Sequence, residues 1–148
     1  MTMKITKLTV FPMLFLLWSI FGNPQAANAA HSGFVWSNNA VSAIGVPYTP
    51  NPLFAYNSTG GAVTITRTGT GLYLVTFVGL GATSTGATGT GSGGNAQVSS
   101  YNSAMTNKYS AKITKVDSLS SDFNVSVRTQ RANGLAGNEM FSVMVTVP

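Results

Sequence analysis

The chain has 148 residues, with eight basic and three acidic side chains, 16 glycines and no cysteine. That length suits one domain, and an apolar content of 44% is too high for a disordered chain. The charged fraction of 7% lies far below the roughly 25% of ordinary soluble domains, and without cysteine there is no disulfide, thiolate metal site or thiol nucleophile.

The first segment reads as an export leader. Lys4 and Lys7 make a positive start, and residues 8–21 (LTVFPMLFLLWSIF) form an apolar run of 14. Gly22-Asn23-Pro24 and a run of small residues follow, with Ala27 and Ala29 at the two positions a signal peptidase reads. Cleavage is expected after Ala29. As a helix, 14 residues reach about 21 Å, short of a bilayer core of about 30 Å, so no membrane span is expected once residues 1–29 are removed. The expected location is secreted, extracellular or periplasmic. Processing leaves 119 residues (30–148) and a net charge of +3, because the leader takes two basic residues and no acid. Arg67, Lys108, Lys112, Lys115, Arg128 and Arg131 are spread along the chain, and only the three lysines cluster. Nucleic-acid binding needs a dense basic stripe, so that partner is excluded.

From residue 33 on, apolar residues recur with a period of two. Alternation rich in Val, Ile, Thr, Tyr and Phe, punctuated by Gly, Asn and Ser, predicts eight strands. They lie at about 33–37, 53–57, 62–68, 71–79, 95–101, 109–116, 122–129 and 139–147. Thr59-Gly60-Gly61 and Gly69-Thr70-Gly71 are expected to be tight turns. Residues 45–52 carry three prolines and read as a connector or edge piece, and 79–95 as a long Gly/Ser/Thr loop. The expected fold is all-β: a single antiparallel β-sandwich of about eight strands, plausible as a jelly roll.

Chemistry is thin. His31 is the only histidine and stands near the expected mature N-terminus. Asp117, Asp122 and Glu139 are the only carboxylates, formally enough for a two-acid glycosidase, yet placed at strand ends and loops. With Asn133 and Asn138 they fall short of the six to eight oxygens calcium takes, so no metal and no cofactor are expected. The string at 89–94 (GTGSGG) matches a phosphate-loop pattern, but a strand follows it where a helix is required. Asn57 and Asn124 stand in glycosylation strings. No enzyme is expected.

Two features point to binding instead. In the strands at 71–79 and 139–147 both faces are apolar: Leu72 and Leu74 back onto Tyr73, Val75 and Phe77, and Met140 and Met144 back onto Phe141, Val143 and Val145. A two-layer fold leaves one face of each strand to solvent, so Leu72, Leu74, Met140 and Met144 are candidates for a homo-oligomer contact. Separately, Phe34, Trp36, Tyr48, Phe54 and Tyr56 cluster in the first third of the chain. Trp36, Tyr48 and Tyr56 are the candidate ligand-binding residues, for a glycan or cell-surface component. Phe34 and Trp36 share a strand face, whose ordinary place is the core.

The runs at 56–61 (YNSTGG), 64–77 (TITRTGTGLYLVTF) and 93–98 (GGNAQV) resemble an uncharacterised β-rich module found, often in repeats, in secreted bacterial proteins. The resemblance covers most of 33–147 and implies export and a bacterial source, with no activity attached. It also implies that Ala111 and Thr129 stand where relatives carry a cysteine pair, so that packing or assembly replaces a lost disulfide. A fainter likeness is to C1q/TNF-type jelly rolls, whose trimers bury outward apolar strands. The resulting expectation is an exported, non-enzymatic structural or adhesive module that self-associates, with carbohydrate or ligand binding as the alternative.

Overall fold

Alternation with a period of two becomes strand wherever one set of side chains can be buried, and among the described residues nine segments do so. The computed structural model describes residues 30–81, 94–101, 109–117 and 121–147. The leader, residues 82–93 of the long loop, Lys108 and residues 118–120 lie outside the described residues. The strands are β1 (His31–Trp36), β2 (Pro47–Tyr48), β3 (Ala55–Asn57), β4 (Val63–Gly69), β5 (Leu72–Phe77), β6 (Asn95–Tyr101), β7 (Tyr109–Asp117), β8 (Phe123–Arg131) and β9 (Met140–Val147). A 3-10 turn spans Pro52–Phe54.

All ladders between these strands are antiparallel, in a four-stranded sheet of order β3-β1-β9-β6 and a five-stranded sheet of order β2-β4-β5-β8-β7. The fold is all-β, an antiparallel β-sandwich. The ninth strand beyond the expected eight is β2, the proline-rich edge piece. Its two residues pair with Ile65 and Thr66 at the border of the sheet, where a proline without an N–H is tolerated.

The core lies between the sheets. Val35 of β1 and Phe141, Val143, Val145 and Val147 of β9 face Ile65 of β4, Tyr73, Val75 and Phe77 of β5 and Phe123, Val125 and Val127 of β8, all buried. One position needs a glycine for space. A Cβ on Gly33 would stand 2.6 Å from the Phe77 ring, so the inner face of β1 can hold Gly33 and Val35 but nothing larger at 33. Another needs it for conformation. Gly71 closes the β4–β5 turn at φ +65°, with the Thr129 carbonyl and the Gly137 amide packed around it. Its N–H donates to Asn138 Oδ1 (2.8 Å) and its carbonyl accepts from Thr129 N–H (2.8 Å).

Ala111 and Thr129 face each other across the β7–β8 ladder. Thr129 is buried, and its hydroxyl donates to the Gly137 carbonyl.

Candidate functional site

Because Gly33 and Val35 take the inner phase of β1, Phe34 and Trp36 point out of the sandwich, against the expectation that this pair fills the core. The reason is steric: the Phe77 ring occupies the space beneath β1. The register then brings partners from three other segments. Phe34 lies opposite Tyr56 of β3, and the two rings stack at 6.1 Å with planes 22° apart. On its other side Phe34 lies opposite Met144, and Met144 opposite Gln97 of β6. Trp36 lies opposite Ser142, and Ser142 opposite Ser99.

Ser142 shapes the centre of this face. Its small side chain lets rings from β1 and β6, two strands apart, lean together over β9. Trp36 and Tyr101 stack at 6.0 Å and 14°. On the other side of Trp36, Phe54 stacks at 5.6 Å and 16°. Phe54 is delivered by the 3-10 turn, which Asn51 caps by accepting Leu53 N–H on its side-chain oxygen at 2.9 Å. Phe54, Trp36 and Tyr101 therefore form a row of near-parallel rings crossing the sheet. Trp36 is 49% exposed, Tyr101 55% and Met144 61%. Around the rings the outward positions are Ser142, Thr146, Asn95, Gln97 and Ser99, and among the described residues this face carries no Asp, Glu, Lys or Arg. The surface offers apolar rings bordered by hydroxyl and amide groups, with no fixed charge.

Of the three candidate ligand residues, the fold brings Trp36 and Tyr56 onto this face and leaves Tyr48 off it. Tyr48 pairs with Ile65 on the other sheet, packs against the core and places its hydroxyl 3.1 Å from Ser37 Oγ. Burial raises its pKa above the ordinary tyrosine value, with the Ser37 bond opposing. Tyr101 was missed because it lies far from the aromatic cluster in sequence. The one signal for it was the alternation of β6, which puts Tyr101 in phase with outward Gln97 and Ser99.

The four candidates for self-association divide between the two outer faces. Met140 and Met144 point outward from β9, beside the rings, with Met140 half-buried. Leu72 and Leu74 point outward from β5, on the opposite side of the sandwich, with Leu74 half-buried. β5 and β9 belong to different sheets, so their second faces point apart and form no single patch.

Of the remaining polar candidates, the Asp117 side chain lies outside the described residues and the others have structural partners. Asp122 accepts Gly79 N–H (2.9 Å) at one end of β5, while Asn138, next to buried Glu139, holds Gly71 at the other end. At the strand rise these ends lie about 20 Å apart, too far for a carboxylate pair across one glycosidic bond. Among the described residues no three His, Cys, Asp or Glu side chains converge on one point. Asn57 is buried, donates to the Val78 carbonyl and accepts from Thr59, so it is occupied as a turn-builder; Asn124 accepts from the Thr76 hydroxyl at 2.7 Å. His31 lies at the start of β1, with Nδ1 3.4 Å from Ser58 Oγ.

Compared with protein-family models, with curated proteins and with solved structures, the chain matches none.

Proposed function

We propose that this chain is an exported, non-enzymatic adhesive module that binds neutral carbohydrate on the outer face of its four-stranded sheet. One observation carries the reading: the half-exposed row Phe54–Trp36–Tyr101, with ring planes within 16° of each neighbour. The flat C–H face of a sugar ring packs on an aromatic face as other apolar surfaces do, while its hydroxyls need donors and acceptors at the rim. Ser99, Ser142 and Gln97 supply those around the row. The missing charges favour a neutral ligand. A nucleic-acid strand would stack on the same rings but requires cations along its backbone.

Binding to an array of neutral glycans tests this. Trp36, stacked between Phe54 and Tyr101, holds the row together, so Trp36→Ala should break up the platform and weaken binding about 30-fold, the size of a binding hot spot of about 2 kcal/mol. Unchanged affinity in that variant removes the platform.

A second reading is that copies of the chain associate through this face. Exposed Met144, set beside Phe34, favours it. Light scattering at micromolar concentration separates the two: a monomer that binds glycan supports the first, and a dimer dissociated by Met144→Glu supports the second.

A further inference from the structure

The outer face of the five-stranded sheet has a different pattern. Its register sets Leu72 opposite Arg128 and Arg128 opposite Lys112; one row along, Leu74 stands opposite Ser126 and Ser126 opposite Lys115. Lys112 and Lys115 are exposed, and Leu72 is 41% exposed. Two leucines on β5 thus share a face with Arg128 on the neighbouring strand and with Lys112 and Lys115 on the strand beyond it.

That placement is costly without a partner. Like charges directly opposite one another on neighbouring strands repel, yet Lys112 and Arg128 occupy such a pair of positions in a chain with few charges of either sign. The Arg128 Nε is also buried without a hydrogen bond. Of the acids, Asp117 ends β7, opposite Asn124 in the register; Asp122 is turned to Gly79, and Glu139 is buried near the β5 turn.

The geometry points to an anionic phospholipid surface as the partner of this face. Charge complementarity selects an anion. The outward leucines select a bilayer over a soluble polyanion, because cations at headgroup level with apolar side chains beside them are the pattern of a shallow interfacial contact. The three cations would pair with lipid phosphates while Leu72 and Leu74 lie against the headgroup–acyl boundary. This does not rest on the carbohydrate reading, since the two faces belong to different sheets.

The test is co-sedimentation of the chain from Ala30 onward, which carries all nine strands, once its cooperative thermal melt is confirmed. It should sediment with vesicles rich in phosphatidylglycerol, stay in solution with phosphatidylcholine vesicles, and be released by salt. Lys112→Ala and Lys115→Ala should each weaken binding about fivefold, the value of one cation at an anionic surface. Leu72→Ser should weaken it further, and Trp36→Ala should leave it unchanged. Equal binding to both vesicle types, or binding to neither, overturns the proposal. So does soluble polyphosphate bound as tightly as the vesicles with Leu72→Ser without effect, which would assign the face to a soluble polyanion.

Discussion

On the outer side of the four-stranded sheet stand Phe34, Trp36, Tyr56, Tyr101 and Met144 among serines and amides. On the outer side of the five-stranded sheet stand Leu72, Leu74, Lys112, Lys115 and Arg128 among threonines and serines. Both sets come from the same two-residue period, and both leave Val and Phe facing inward. The difference is that among the described residues one face carries no charged side chain, while the other concentrates cations of a chain that has few. A solvated face has no need of stacked rings, and a stable one gains nothing from a lysine opposite an arginine. Each face departs from ordinary surface in its own direction, which is why they are assigned different partners.

The contrast depends on the inner layer holding β1 in phase, so the most damaging change should be there. Phe77→Ala empties the space over Gly33, and a loss of about 3–5 kcal/mol in urea unfolding is expected from cavity formation. A loss below 1 kcal/mol would mean that the ring does not set the phase of β1. A staple sharpens the comparison instead. Ala111→Cys with Thr129→Cys links directly opposed strand positions, a separation a disulfide can span. Closing a loop of this length contributes about 3 kcal/mol, the gain expected in oxidised over reduced protein; losing the Thr129 hydroxyl bond costs about 1, so the oxidised variant should exceed the parent chain by about 2 kcal/mol. Glycan binding on the other sheet should not change.

Alkaline pH should act on both faces at once. Tyr73, buried between the sheets with its hydroxyl donating to the Ala40 carbonyl (2.8 Å), has its pKa raised chiefly by burial, and Tyr48 likewise. A phenol that ionises later in the folded state gives its full stabilisation below the unfolded value near 10 and loses it as pH rises through the folded value. Thermal midpoints should therefore fall above pH about 10, and Tyr73→Phe should flatten that fall.

Much of the fold was legible because strand periodicity is local. The strand segments, the turn glycines at 60 and 71 with their positive φ, and the edge role of residues 45–52 follow from residue types at short range. Periodicity names which residues share a strand face. It is silent on which faces share a sheet, and the candidate site was lost there. Leu72 and Met144 looked alike as surplus apolar residues, but non-local pairing sends them to opposite sides. Phe34 and Trp36 looked like core because aromatics usually win that place; a contact between residues 33 and 77 reverses it. Trp36 and Tyr101 meet over Ser142, a coincidence of three strands that no window of sequence contains.

β9 is the shared neighbour of β1 and β6. The hairpins β4–β5 and β7–β8 can zip locally as they emerge, but the first described strand has to wait for the last, and long-range pairing of this kind closes slowly. A chain synthesised front-end first therefore spends its emergence with half its architecture still open. The ring-bearing surface comes into being only at the finish, when the rear of the polypeptide slots between two strands that have been waiting for it.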